Sequence, residues 1–135
     1  MAILGLDVGE KRIGVALADG LVAIPLTVID RVEEGADLER VLALAEEHGV
    51  KRIVVGLPLS LDGSIGRQAE KVISFSRALS KSTNVPIDTW DERLSTVAAE
   101  RQLLDAGLKR GKRRMRRDAT AAAIILQAYL DRIGK

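Results

Sequence analysis

Two apolar, β-rich runs open the chain, residues 2–8 ("AILGLDV") and 12–18 ("RIGVALA"), and the reversal between them falls in "GEKR". A link that short permits an antiparallel turn and leaves no room for the crossover a parallel pair needs. The sheet therefore starts as a hairpin, and every later strand has to be added to it. Asp7 stands at the tip of the first run, followed by Gly9. A buried acid is costly unless something compensates its charge. The fold has to bring that compensation to the end of the first strand.

The rest of the chain supplies the other layers. Residues 22–29, "VAIPLTVI", read as a third strand, and Pro25, which lacks an amide donor, places it at an edge. Leu38, Val41, Leu42 and Ala45 recur at helical spacing over 36–48, and Gly49 stops the helix. His48, at its end, is expected to stabilise the last carbonyls. "RIVVGLP" (52–58) is apolar throughout, the pattern of a strand inside a parallel sheet. A helix is expected over 65–80, a strand over 85–92, and two more helices over 95–106 and about 118–133. The order β-β-β-α-β-α-β-α-α is a meander of three strands followed by two strand–helix units, which add parallel strands by right-handed crossovers. The expected fold class is α/β: a ribonuclease H-like, five-stranded mixed sheet of order 3-2-1-4-5 flanked by helices.

At 135 residues the chain is expected to form one domain, 1–135, able to bury roughly two thirds of its unfolded surface. No apolar run approaches the roughly 20 residues of a membrane span. The N-terminus lacks a basic stretch leading into a long apolar one. The expected location is the cytoplasm, with no membrane partner. The absence of cysteine excludes disulfides and thiolate metal sites. The formal net charge of +2 hides a strong asymmetry. "KRGKRRMRR" holds seven of the 21 basic residues (Lys109, Arg110, Lys112, Arg113, Arg114, Arg116, Arg117) and no acid, leaving 14 bases against 19 acids elsewhere. A mildly acidic body with one concentrated positive patch points to a polyanionic partner. With one Trp, one Tyr and one Phe, an aromatic platform for stacking single strands is not expected, and Trp90 reads as core.

Three acids are placed to meet. Asp7 ends the first strand, and Asp91 and Glu92 end the last, on the same rim of the sheet, where open α/β sheets gather their ligand sites. Adjacent strand residues point to opposite faces, so only one of Asp91 and Glu92 faces a given site. Asp118 is expected to begin the final helix, where it could equally serve as an N-cap. It shares a helix face with Ala122, Ile125 and Tyr129, whose apolar members must be buried against the sheet. Carboxylates gathered at one point repel one another, and divalent cations remove the conflict. Oxygen-only donors favour Mg²⁺ or Mn²⁺. Two such ions, about 3.5–4 Å apart, stabilise the attacking and leaving oxygens of phosphodiester hydrolysis.

"LGLDVGEKRIGVALAD", "VVGLPLSLDGSIGRQAEKV", "DERLSTVAAE" and "KRRMRRDATAAAIILQAYLD" resemble, in order, the successive motifs of the RuvX/YqgF family over nearly the whole chain. The resemblance implies a ribonuclease H-like fold and a metal-dependent phosphodiesterase. Members are described both as Holliday-junction resolvases and as nucleases that trim the precursor of small-subunit (16S) ribosomal RNA. It places Asp7, Glu92 and Asp118 at the positions of the family's acidic triad, as catalytic residues and ligands of two ions, with Asp91 of the "DER" motif in reserve. Many other ribonuclease H-like nucleases carry their second acid on the fourth strand, whereas here that strand ends "VVGLPLS" without one and the role falls to the fifth. Arg117, where the family usually has an apolar residue, precedes Asp118 and either pairs with it or contacts nucleic acid.

The basic run is expected to act as a loop that grips phosphates. Arg12 and Arg93, beside the acids, either orient the scissile phosphate or form surface ion pairs of little worth. The loop "LDGSIGRQ", with Asp62 and Ser64, either holds a phosphate on its amides or is a plain β-to-α turn. Two other classes compete with a nuclease. The first motif also resembles the phosphate loop of the actin–hexokinase ATPases and sugar kinases, though these close two such domains over a nucleotide. A non-catalytic nucleic-acid-binding module is the other. Pre-rRNA and branched DNA remain open as substrates, and paired cuts on a junction would require a homodimer.

Overall fold

The computed structural model describes residues 1–94 and 110–133, the side chains of 110–117 excepted. Five strands form one sheet: β1 (Ala2–Val8), β2 (Arg12–Asp19), β3 (Ala23–Asp30), β4 (Val50–Leu57) and β5 (Ile87–Asp91). Their order is β3-β2-β1-β4-β5. The meander β1-β2-β3 is antiparallel, and β4 and β5 add in parallel beside β1. Pro25 lies in the edge strand β3, opposite Ala16 where the β2–β3 register shifts, so its missing donor breaks no interior ladder.

Helices α1 (Glu34–Glu47) and α2 (Arg67–Lys81) cover one face of the sheet, and α3 (Arg110–Ile133) covers the other. Strand alternation sorts the core accordingly. Leu4, Leu6, Val8, Ile13, Val15, Ile53 and Val55 pack with Val41 of α1 and Val72, Phe75 and Leu79 of α2. Ile3, Ala16, Ala18 and Val54 pack with Ala122, Leu126 and Tyr129 of α3. The sheet is thus buried from both sides, which is why its central strands read as continuous apolar runs. Helix α1 ends at His48 through its main chain: the amide donates to the Leu44 carbonyl at 3.1 Å.

The last helix corrects two expectations. It begins at Arg110, not at 118. Residues 110–117 of the expected basic loop therefore lie in the helix, and Asp118 sits well inside it, not at its N-cap. Arg, Lys and Met are good helix formers, so a run of them extends a helix even though it has no apolar period. The helix expected over 95–106, and Lys109, lie outside the described residues.

Candidate active site

The site is built at the rim where β1 and β5 end. Along β1, Ile3, Gly5 and Asp7 face α3, while Leu4, Leu6 and Val8 face α1 and α2. Asp7 stands directly across from Gly14 of β2. A Cβ on Gly14 would run into the main-chain carbonyl of Asp118. Only glycine lets α3 lie so close to β2, and that close approach brings Asp118 from the helix toward Asp7 on the neighbouring strand.

Glu92, which opens the short 3-10 turn directly after β5, comes to the same face. The Tyr129 hydroxyl of α3 donates to Asp88 at 2.9 Å, and the Trp90 ring meets Tyr129 edge-on at 5.8 Å, so Asp88 and Trp90 face α3. Two residues further, Glu92 lies over Gly56 of β4, with its Cγ 3.3 Å from where a glycine Cβ would stand. Ile125 of α3 fills the same space, 2.6 Å from that point. Gly56 therefore makes room for both the helix and the carboxylate.

Asp7, Glu92 and Asp118 line one cleft of about 460 Å³, walled by the β1–β2 turn (residues 8–12), Pro58 and Gln68. Arg12 also lines it, and its Nε donates to Asp118 Oδ2 at 2.9 Å. Arg12 of β2 is thus a cation beside Asp118, from 106 positions away in sequence. The side chain of Arg117, read from the sequence as a partner for this acid, lies outside the described residues, as do those of Arg110, Lys112, Arg113, Arg114 and Arg116. At the lip of the cleft, Lys71 donates to Glu10 at 3.1 Å and holds that carboxyl below its ordinary range.

Asp91 takes a different path. Its carboxylate accepts from Arg93 Nη2 at 2.7 Å and from Nε at 3.0 Å, and the Arg93 amide closes the turn at 2.9 Å. Arg93 Nη1 continues to the Leu61 carbonyl at 3.2 Å, tying the loop after β4 to the end of β5. Neither Asp91 nor Arg93 lines the cleft. In the same loop the Ser64 amide donates to Asp62 at 2.9 Å in an Asx turn, and neither of these lines the cleft either. Hydrogen bonding from Arg93 lowers the Asp91 pKa, against a smaller upward push from burial. A lowered carboxyl stabilises the fold above the unfolded value of about 3.9, and that contribution is lost as pH falls through the folded value. The urea midpoint of the wild type should therefore exceed that of Asp91→Asn at pH 5, and the gap should close toward pH 3. A gap that stays constant across that range would remove the clamp.

Gln68 is a lining residue that the sequence reading passed over. It lies in the first turn of α2, and its Nε2 donates to the Val8 carbonyl at 3.2 Å. The available signal was positional: the start of a helix that follows a parallel strand lies at the rim where ligands bind.

The donor chemistry of the cleft suits a hard divalent cation, because the acids that line it, Asp7, Glu10, Glu92 and Asp118, offer only oxygen and the chain has no thiol. Among the described residues, no three His, Cys, Asp or Glu side chains stand close enough together to enclose one. The acids share a cleft without being drawn to a common point.

Comparison with known proteins agrees with this architecture. A protein of Desulforamulus reducens named as a candidate pre-16S rRNA nuclease is 50% identical over 133 residues, 97% of each chain. A protein of Clostridioides difficile with the same name is 50% identical over 131 residues, 96% of this chain and 93% of its own. The Thermus thermophilus RuvC structure in complex with a Holliday junction substrate matches with a TM-score of 0.65 at 19% identity, over 99% of this chain and 96% of that one. The fowlpox virus resolvase, also solved with junction DNA, matches at 0.60 and 10% identity over the full length of both. At such identities the likeness shows the fold alone, which is ribonuclease H-like. The family model described as "RuvX: Holliday junction resolvase" matches residues 1–132, and with relatives at half identity over nearly their whole length, this chain belongs to the RuvX family.

Proposed function

We propose that this chain is a nuclease of ribosome biogenesis, a phosphodiester hydrolase that trims the 5′ end of pre-16S rRNA. The observation that carries the reading is the presence of Asp7, Glu92 and Asp118 in the lining of one cleft, with Asp118 on the helix that carries residues 110–117 of the basic run. The names of the half-identical relatives supply the substrate. The family match over residues 1–132 supports one nuclease unit spanning the chain.

Each residue then has a task. Asp7, Glu92 and Asp118 would hold two Mg²⁺ or Mn²⁺ ions by their carboxylate oxygens. Such ions, when bound, polarise the phosphate and acidify water. Arg12 balances the Asp118 charge and keeps that carboxylate oriented toward the cleft. Lys109, Arg110, Lys112, Arg113, Arg114, Arg116 and Arg117 would grip the phosphate backbone, which positions a polynucleotide without reading its sequence. Arg93, bonded to Asp91 and to the loop after β4, would support the rim. In the hydrolysis a P–O bond forms to water as the ester P–O bond breaks, and the departing oxygen leaves with a proton. No helix among the described residues is long and apolar enough to cross a membrane, and a nuclease of this kind would work in the cytoplasm, where ribosomes are assembled.

The family description favours a second reading, resolution of Holliday junctions. That activity needs two symmetric cuts, and so a homodimer. Labelled pre-16S rRNA and a labelled four-way junction, each incubated with pure protein in Mg²⁺, Mn²⁺ or EDTA, decide between them. The first reading expects metal-dependent cutting of the rRNA precursor alone. Paired junction cuts by a dimer, with the precursor intact, would replace it with the second. Binding of both without cutting would leave only a nucleic-acid-binding module.

A further inference from the structure

The charged side chains that line the cleft, Asp7, Glu10, Lys11, Arg12, Glu92 and Asp118, suit a phosphate or a cation, and such contacts are the same for RNA and DNA. Apart from Gln68, the lining side chains are carboxylates, cations or apolar groups. Gln68 is the neutral amide among them. Its place is set from two sides. The main chain enters α2 at Gly66, putting Gln68 in the first turn, and Nε2 is tied to the carbonyl of Val8, the residue that follows Asp7. That bond uses one N–H. A primary amide has two N–H donors and a carbonyl acceptor, so one donor and one acceptor are left for a ligand. A hydroxyl can pair with both, since it donates and accepts at the same oxygen.

We infer that Gln68 recognises the ribose 2′-hydroxyl next to the scissile phosphate and so biases this cleft toward RNA. The inference rests on the nuclease reading for the position of that phosphate, beside Asp7. The 2′-oxygen is bonded to the carbon adjacent to the one bearing the 3′-oxygen, so a phosphate held at Asp7 presents this hydroxyl to the neighbouring wall. The Val8 carbonyl and Gln68 form that wall. The 2′-hydroxyl is the group by which a protein tells RNA from DNA at a given site. A site built around a hydrogen bond to a hydroxyl disfavours the analogue that lacks it, because its own polar group is then left unpaired.

The test deletes each partner separately. Wild type and Gln68→Met are compared on an RNA hairpin that the wild type cuts, and on the same hairpin with a single 2′-deoxynucleotide at the cleavage position. The deoxy substitution should lower wild-type kcat/KM roughly tenfold, the size of one hydrogen bond, and should leave Gln68→Met unchanged. Equal wild-type rates on the two substrates would overturn the inference. So would a variant that loses activity but keeps the full deoxy penalty, since Gln68 would then only brace the Val8 carbonyl. Fluorescence anisotropy with both hairpins in EDTA gives the same comparison without cleavage. If the wild type cuts nothing, the nuclease reading fails, while a deoxy penalty on binding that vanishes in Gln68→Met still supports the contact. The melting curve followed by Trp90 confirms that the variant folds.

Discussion

Asp7→Asn should abolish phosphodiester cleavage, with a fall of roughly a thousandfold or more, while the protein remains folded and still binds nucleic acid. Asparagine keeps the shape and one oxygen but removes the charge. Asp7 lines the same cleft as Glu92 and Asp118, and Arg12 is bonded to Asp118. In the metal-free protein, neutralising one of three neighbouring carboxylates relieves repulsion. The variant should therefore melt at the same temperature as the wild type or higher. Divalent ions should reverse that order. Mg²⁺ or Mn²⁺ should raise the wild-type midpoint as a ligand of the folded state does, and should have much less effect on Asp7→Asn. Cleavage assays and thermal melts in EDTA and in Mn²⁺ check both halves. A variant that cuts at the wild-type rate would remove Asp7 from the chemistry. A variant that loses activity by unfolding would show a structural role in its place.

The strand order was legible because it rests on local signals. The short link at residues 9–12 requires a hairpin, Pro25 requires an edge, and "RIVVGLP" requires burial on both faces. Alternation was legible in that only one of Asp91 and Glu92 could face the site, but not in which one: the structure puts Glu92 toward α3 and Asp91 into a clamp with Arg93. The start of the last helix was hidden, since a run of like charges has no amphipathic period to read. The Arg12–Asp118 pair was also hidden. It joins residues 106 positions apart, and the close approach of helix to sheet over Gly14 that makes it possible is a packing fact with no sequence period. Gln68 was overlooked for a simpler reason. A glutamine in the first turn of a helix looks like any other surface residue until the cleft beside it is known.

The same limit hid Asp37, and the second large effect is expected there. Asp37 lies in the first turn of α1 with 1% of its surface exposed. Its carboxylate accepts from Arg31 Nε at 3.0 Å and from the Val32 amide at 3.0 Å. The Arg31 guanidinium lies 5.3 Å from the centre of the Phe75 ring, and its Nη1 donates to the Gly9 carbonyl at 2.9 Å. Its own amide donates to Lys11 at 2.9 Å. The pair, with Asp37 buried and 23% of the Arg31 side chain exposed, therefore anchors the β1–β2 turn, which forms a wall of the cleft. Removing one partner of a buried pair leaves the other charged and uncompensated, at a cost of about 3–5 kcal/mol. Asp37→Ala should accordingly lower the melting temperature by roughly 10–20 °C, read from the single tryptophan, Trp90. Replacing both partners with apolar residues, Asp37→Leu with Arg31→Met, should recover a good part of that loss, because no charge is then stranded. The double variant should still cut more slowly than the wild type at a temperature where both are folded, since the turn has lost its hold on the Gly9 carbonyl. A double variant no more stable than Asp37→Ala would mean that the acid contributes by packing and not by charge. A double variant as active as the wild type would mean that Arg31 supports the fold without positioning the cleft.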